Sequence, residues 1–289
     1  MYRGVKIILL VLVFFWSSVM AYGELVYVKE TGPIMQVPVL LYHRFGPAIP
    51  AINDMTVTTD VFESHLKYLK DRGYKVIPLR DFVEYLLKGR LIPGNRSVII
   101  TADDGHRSIY STMFPIVKRY HVPVTLFLYP SAISNASYTM TWDQLREMEE
   151  TGLFDFQSHT YWHPNFKIEK KRLKPEEYKK FVKMQFKKSK DKLEKELDVN
   201  VTTLAWPFGI YNDELVEKAA EAGYVAGFTM ERRHASPSDN RMALPRYLMV
   251  NSNNPERYLG RILARSSAQG FTPLEGHLLS NGVNEEGDE

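Results

Sequence analysis

The chain has 289 residues, of which 44% are hydrophobic, and a formal net charge of +3 at neutral pH. This composition is typical of a globular protein, and so small a charge gives no reason to expect nucleic acid as a partner. The sequence contains no cysteine, which excludes disulfides, thiolate metal ligands and cysteine nucleophiles. The length suits one large domain or two small ones.

The beginning of the chain has the pattern of a secretory signal. Arg3 and Lys6 precede the apolar run Ile7–Trp16, and small residues follow it. We therefore predict a signal peptide over 1–21 and an N-terminal extension over 22–34. The protein is expected to be secreted, or to lie in the periplasm or cell envelope. An uncleaved N-terminal anchor is the alternative, and it is the one contact with a membrane that the sequence indicates.

Short apolar runs then alternate with stretches of helical pattern. The runs are apolar on successive residues, which favours a parallel sheet buried on both faces. The predicted strands are Val37–Tyr42, Ser97–Thr101, Val124–Tyr129, Phe154–Ser158, Thr203–Trp206, Ala226–Thr229 and Leu244–Val250.

The predicted helices lie between these strands and are marked by capping residues and by glycines that follow them. They are Val61–Arg72 with Thr59 or Asp60 as cap, Leu79–Lys88, Trp142–Glu150 with Thr141 as cap, Pro175–Leu197, and a helix from Asn212 or Asp213 to Gly223. The lysines of Pro175–Leu197 are interpreted as a solvated face, with contact to an anionic cell envelope as the alternative. The repeated order predicts an α/β protein, either a TIM-like barrel or a doubly wound sheet.

The sequence T-A-D-D-G at 101–105 places two carboxylates directly after a predicted strand. In parallel α/β proteins the C-terminal ends of strands face the ligand crevice. Adjacent residues leave a strand in different directions, so Asp104 can bind a metal while Asp103 faces its water as a general base. Adjacent carboxylates do not easily flank a sugar bond at the ~5–9.5 Å separation that glycosidases use. An ordinary Asp-Asp-Gly turn is the alternative.

The sequence S-H-T-Y-W-H-P at 158–164 supplies two imidazoles after another predicted strand. The spacing of His159 and His163 lets both rings converge on one ion if the segment turns helically. Together with Asp104 they would leave a divalent metal one open position for water. Zinc is the expected metal, with cobalt, nickel and iron as alternatives.

The sequence A-W-P-F-G at 205–209 ends a third strand. Backbone N–H groups freed at such a turn can face a developing oxyanion. The alternative interpretation for Trp206 is an aromatic cap on the barrel. The remaining histidines are expected to be surface or structural residues, and they are His65, His106, His121 and His234.

In combination, the three motifs resemble those of the polysaccharide deacetylases of carbohydrate esterase family 4. The resemblance covers about 35–265, which we take as one domain followed by a polar tail over 266–289. It implies a single-domain, distorted TIM-like (β/α)7 barrel. It also implies Asp103 as catalytic base, the Phe208 N–H as an oxyanion donor, and three metal ligands, namely Asp104, His159 and His163.

The opening sequence V-P-V-L-L-Y-H-R-F is similar to the branch that deacetylates poly-β-1,6-N-acetylglucosamine, which implies His43 as the acid that protonates the leaving amine. Ala205 departs from the family pattern, because many members carry there an arginine that holds the catalytic aspartate. Arg246 could take that role from another strand. The usual late L-x-H motif is missing as well, and His277 is a poor substitute.

The resemblance therefore implies metal-dependent hydrolysis of N-acetyl groups on an extracytoplasmic amino-sugar polysaccharide, with release of acetate. The expected polymer is poly-β-1,6-N-acetylglucosamine. The alternatives are a peptidoglycan or chitin-oligomer deacetylase and a non-catalytic glycan-binding protein.

Overall fold

The structure, a computed structural model, describes residues 35–46, 55–90, 92 and 96–265. The predicted signal peptide, the N-terminal extension and the polar tail lie outside the described residues, and so does His277. Within these ranges, no helix is both long and apolar enough to cross a bilayer.

The chain alternates strands and helices over most of the described length. The strands are β1 (Val39–Tyr42), β2 (Arg44–Gly46), β3 (Thr56–Thr58), β4 (Lys75–Val76), β5 (Ser97–Asp103), β6 (Val124–Leu128), β7 (Phe154–Ser158), β8 (Thr203–Ala205), β9 (Ala226–Phe228) and β10 (Tyr247–Leu248). The α-helices are α1 (Thr59–Asp71), α2 (Leu79–Lys88), α3 (Phe114–Tyr120), α4 (Trp142–Glu149), α5 (Phe166–Arg172), α6 (Pro175–Leu197), α7 (Asp213–Glu221) and α8 (Pro255–Leu263).

The main sheet follows the order β10-β1-β5-β6-β7-β8-β9, and all of these pairs are parallel. Its two edges meet at the segment that carries β10. Leu248 pairs with Leu41 of β1, while Leu244 forms a parallel bridge to Phe228 of β9. The sheet therefore curls into a distorted barrel of seven parallel strands, which confirms the predicted (β/α)7 fold over the doubly wound alternative.

The last predicted strand, Leu244–Val250, is wrong in its extent, because only β10 is a regular strand there. Leu244 donates its N–H to Gly227 of β9, whereas Met249 donates to Leu41 of β1. Pro245 between them has no N–H to donate. The segment therefore passes from one edge of the sheet to the other instead of pairing evenly along its length.

The central strands are buried on both faces, as the continuous apolar runs predict. Ile99 and Phe127 lie in a smaller apolar cluster to which α2 contributes, and their neighbours Ile100 and Leu126 lie in the larger cluster under most of the other helices. Side chains alternate along a strand, so every second residue of β5 faces the enclosed side of the curled sheet. Asp103 shares that side with Ile99.

The helix boundaries follow local capping. α2 and α6 have the predicted bounds, and Thr141 caps α4 in a capping box with Gln144. The prediction for the first helix is wrong in its cap, because Thr58 rather than Thr59 or Asp60 accepts the hydrogen bond from the Val61 N–H. The sequence analysis missed β2, β3, β4, α3, α5 and α8.

Candidate metal centre and catalytic crevice

The predicted site residues gather where parallel strands end. Asp103 is the last residue of β5, and Asp104 follows it. His43 comes directly after β1, and His159 directly after β7. Phe208 lies in the 3₁₀ turn Pro207–Gly209, which begins two residues after the end of β8. Because the C-terminal ends of parallel strands share one rim, the barrel brings these distant segments to one crevice.

The three proposed metal ligands face one another. The Nε2 atom of His159 lies 3.6 Å from Oδ1 of Asp104, and Nε2 of His163 lies 3.8 Å from the same oxygen. One donor atom from each of the three residues lies within 4.8 Å of the others. One carboxylate and two imidazoles form a donor set that suits zinc and neighbouring divalent ions. The residues present therefore fit a metal centre with an open coordination position.

The ring of His159 is oriented by a backbone hydrogen bond. Its Nδ1 lies 2.8 Å from the carbonyl oxygen of Ala205, which can only accept, so Nδ1 carries the proton. The other nitrogen, Nε2, is left with its lone pair toward Asp104. Burial lowers the pKa of His159 to about 3, so the ring is neutral at physiological pH. This is the protonation state that a metal ligand needs.

The loop that carries both histidines is irregular. The condition of a helical turn between His159 and His163 is not met, because no helix lies between the end of β7 and Phe166. Thr160 and His163 instead have φ of 63° and 62°, in the left-handed region that non-glycine residues seldom adopt. The hydroxyl of Thr160 accepts the His163 N–H at 3.2 Å. The two rings therefore converge through strained backbone rather than through a helical face.

A glutamine from another element fixes this loop. The Oε1 atom of Gln185, fully buried in α6, accepts the N–H groups of Tyr161 and Trp162 at 3.1 and 3.0 Å. Both donors lie between the two histidines. Since a buried N–H without a partner is costly, this contact supports the unusual backbone of the loop.

Asp103 is held from the opposite side of the barrel. Its two carboxylate oxygens accept hydrogen bonds from Nη1–H and Nη2–H of Arg246 at 2.8 Å each. Asp103 is 1% exposed and Arg246 is 0% exposed. Burial alone raises the pKa of Asp103, but the charge of Arg246 and the hydrogen bonds it donates hold this pKa below its usual value. Asp103 is therefore an oriented carboxylate at neutral pH, and its Oδ2 lies 3.7 Å from Nε2 of His159.

Arg246 has further contacts that fix its position. Its Nε donates to the carbonyl oxygen of Thr229 at 3.0 Å, and its guanidinium lies 5.2 Å from the centre of the Phe127 ring. Arg246 thereby makes the contact with Asp103 that the family resemblance assigns to an arginine at position 205. The structure thus places Arg246 against Asp103, in the contact for which the sequence analysis named it.

Asp104 turns away from β5 through left-handed backbone. Its φ is 72°, and Gly105 follows with φ of 70°. A Cβ atom at Gly105 would lie 2.9 Å from Cδ2 of Leu128, so both the conformation and the space require glycine. Burial and the charge of Asp103 raise the pKa of Asp104, while His43 opposes this rise. A cation bound beside Asp104 would keep its carboxylate ionised.

His43 and Phe208 line the same crevice. Burial lowers the pKa of His43 although Asp103 and Asp104 oppose this effect, so the ring is neutral at pH 7 and must gain a proton before it can act as an acid. Its Nδ1 has no hydrogen-bond partner among the described residues. Phe208 has φ of 56°, and its ring centre lies 4.6 Å from that of His163. The hydrogen bonds of its turn are donated by Gly209 and Ile210.

Two residues near the site were missed by the sequence analysis. The ring of Tyr129 lies 5.4 Å from that of His163, and its hydroxyl donates to Tyr138 at 3.1 Å. The charge of Arg44 acts to lower the pKa of Asp104. The buried Nε of Arg44 has no hydrogen-bond partner among the described residues. Tyr129 directly follows β6, and Arg44 comes two residues after the end of β1, at the same rim that predicted the candidate site residues.

Comparison with known proteins places these residues in a described family. Residues 91–227 match the family model for polysaccharide deacetylases. The poly-β-1,6-N-acetyl-D-glucosamine N-deacetylase of Staphylococcus epidermidis is 33% identical over 204 residues, covering 69% of this chain and 70% of the relative. The protein of that name from Staphylococcus aureus strain MRSA252 is 31% identical over 203 residues, covering 68% and 69%.

The fold has close neighbours among solved structures. A deacetylase of Streptococcus pyogenes, solved in complex with acetate, superposes with a TM-score of 0.71 at 27% sequence identity. The superposition covers 79% of this chain and 99% of that one. The superposed share of this chain is larger than the 91–227 segment that matches the family model.

Proposed function

Because this chain belongs to the polysaccharide deacetylase family, we propose that it hydrolyses N-acetyl groups of poly-β-1,6-N-acetylglucosamine outside the cytoplasm. The family resemblance of the three motifs is thereby confirmed. One observation carries the mechanism: an ionised Asp103, fixed by Arg246, lies beside three converging metal ligands. The names of the Staphylococcus relatives support the choice of polymer. The predicted signal peptide over 1–21 supports the location.

The metal of this proposal would be held by Asp104, His159 and His163. Zinc, cobalt, nickel and iron(II) all accept such nitrogen and oxygen ligands. A bound divalent ion supplies Lewis acidity toward the acetamide carbonyl and lowers the pKa of a water molecule toward ~7.

The chain's own residues supply the proton transfers. Asp103 accepts a proton from the attacking water, since its carboxylate is ionised and cannot rotate out of the Arg246 fork. The Phe208 N–H donates to the carbonyl oxygen as that oxygen gains negative charge, a contribution of about 3 kcal/mol for one such donor. His43 is neutral in the resting site, so it first takes up a proton from solvent and then delivers that proton to the nitrogen of the leaving amine. Asp103 returns the proton it took from water to solvent, which restores both groups. Acetate and a free glucosamine unit result.

The Arg246–Asp103 contact bears on the alternative of a non-catalytic glycan-binding protein. That alternative was motivated in part by the missing arginine at Ala205. Arg246, directly before β10, makes a bidentate contact with Asp103, so Asp103 retains the charged partner that a decayed site would have no reason to keep. We therefore favour catalysis.

The experiment is acetate release from N-acetylglucosamine oligomers of β-1,6 and β-1,4 linkage, with and without a chelator. We expect faster release from the β-1,6 oligomer, loss of activity on chelation, and recovery when Zn²⁺, Co²⁺, Ni²⁺ or Fe²⁺ is added back. Faster turnover of the β-1,4 oligomer would instead identify a chitin- or peptidoglycan-type deacetylase. A rate unaffected by complete metal removal would refute the metal mechanism.

A further inference from the structure

A cavity apart from the catalytic crevice lies between β10 and α8. Its volume is about 210 Å³. We call it the arginine pocket, and its lining residues are Arg232, Tyr247, Tyr258, Arg261, Ile262 and Arg265. Three of these six side chains are guanidinium groups, and all three arginines are exposed.

The charges of these arginines are not balanced by carboxylates of the described residues. Arg232 donates to the hydroxyl of Tyr258 at 3.2 Å, and Arg261 donates to the backbone carbonyl of Arg257. The neighbouring Arg233 differs, because it forms ion pairs with Glu231 and Asp239 at 3.2 and 2.5 Å. Like charges around one cavity repel one another, so the arrangement favours a bound anion.

The floor of the pocket has an unused donor. Tyr247 is 1% exposed, and its hydroxyl donates to no acceptor among the described residues. Burial raises the pKa of Tyr247 to about 12, although the charges of Arg265, Arg233 and Arg232 oppose this rise. The hydroxyl therefore keeps its proton at neutral pH. Buried hydroxyl groups in folded proteins are normally paired, which indicates that a ligand or water accepts this proton.

The arginine pocket is separate from the catalytic crevice. Tyr247 follows Arg246 directly, and successive side chains of extended backbone point in opposite directions. The Arg246 side chain reaches Asp103 inside the barrel, whereas Tyr247 packs in the apolar cluster shared with α8. A ligand in this pocket would therefore not touch the reacting groups.

We propose that the arginine pocket binds a phosphate group, either free or carried by a larger molecule such as a lipid headgroup. Guanidinium groups form charge-assisted, paired hydrogen bonds with phosphate oxygens. Three guanidinium groups and one hydroxyl provide donors from several directions, which suits a tetrahedral anion better than a planar carboxylate. The cavity also leaves room for a substituent on the phosphate. This proposal does not depend on the proposed deacetylase function.

The first experiment is calorimetric titration of the full chain with inorganic phosphate at low ionic strength. We expect saturable binding, and the double variant Arg261→Gln/Arg265→Gln should weaken it at least tenfold. Tyr247→Phe removes only the hydroxyl and should weaken it about threefold. The single variant Arg261→Gln should weaken it at least threefold. Arg257→Gln is its matched control, because it removes one positive charge from an exposed position of α8 outside the pocket, and it should change the affinity less than twofold.

The second experiment identifies the source of the phosphate group. Vesicles of phosphatidylcholine with and without phosphatidylglycerol are sedimented with the wild type, the double variant and the control. Binding that needs both phosphatidylglycerol and the two arginines indicates a lipid headgroup. Phosphate binding without such dependence indicates a soluble phosphate or phosphate ester. Absence of saturable phosphate binding, or equal weakening by Arg257→Gln and by the double variant, would overturn the proposal.

Discussion

Two parts of the catalytic crevice are built by different physical means. The histidine loop at 159–163 depends on left-handed backbone and on hydrogen bonds to Gln185. Asp103, in contrast, ends a regular strand and is fixed by an ion pair with Arg246, which is 143 residues away in sequence. Two of the three proposed metal ligands, His159 and His163, are thus held by a loop, and the proposed base is held by closure of the whole barrel. Substitutions should therefore affect metal binding and proton transfer separately.

The largest expected effect comes from Asp103→Asn. The amide keeps the shape of the side chain but cannot accept the proton of water, so the rate of acetate release should fall by roughly 10²–10⁴-fold. Metal content, measured by elemental analysis after dialysis against zinc, should remain near that of the wild type. Asp104→Asn is the contrasting variant, and it should lose metal. Full activity in Asp103→Asn would show that another group is the base.

Arg246→Met tests how the base is held. It leaves the carboxylate of Asp103 buried without its cation, and we expect a loss of about 3–5 kcal/mol in the free energy of unfolding. Urea denaturation measures this loss. The double variant Asp103→Asn/Arg246→Met contains no buried charge at this position and should recover part of the stability. If the single and double variants were equally stable, the pair would have no such role.

A buried histidine outside both regions provides a pH reference. His65 is fully buried beside the Tyr42 hydroxyl, and burial lowers its pKa to about 4. In the unfolded chain a histidine titrates near 6.5, so its stabilising contribution is present above pH 6.5 and is lost as pH falls toward 4. As pH falls from 6.5 to 4, the free energy of unfolding of the wild type should decrease by about 3 kcal/mol more than that of His65→Gln. Parallel urea titrations at pH 7 and pH 4.5 check this, and equal losses would contradict it.

The smallest expected effect concerns the support of the histidine loop. Gln185→Leu removes the acceptor of the Tyr161 and Trp162 N–H groups, and metal affinity should weaken by roughly 10–100-fold, as for other residues that orient ligands. Competition with a chromogenic chelator measures this affinity. Gln144→Leu, in the capping box of α4, is the matched control and should leave it unchanged. Equal affinities in the two variants would mean that the loop keeps its shape without Gln185.

The sequence was most informative where structure is local or repetitive. Continuous apolar runs predicted β5 to β9 to within about two residues, since strands buried on both faces have few alternatives. The tendency of ligand sites to lie at the C-terminal ends of parallel strands then located Asp103, Asp104 and the histidine pair. The conformation of the histidine loop could not be predicted, because i, i+4 spacing does not distinguish a helical turn from one imposed by Gln185, a residue of another element. The geometry of the contact between Arg246 and Asp103 could not be predicted either, because it depends on how the barrel closes.

The join between the two sheet edges has a consequence for how the molecule matures. Residues 244–249 both seal the barrel and introduce the cation that neutralises Asp103. A nascent chain that has not yet emerged beyond position 243 would contain every proposed metal ligand but would leave the base without its counter-ion. Closure of the barrel and the pairing of Asp103 with its counter-ion are therefore one step, set by β10 and the residues directly before it.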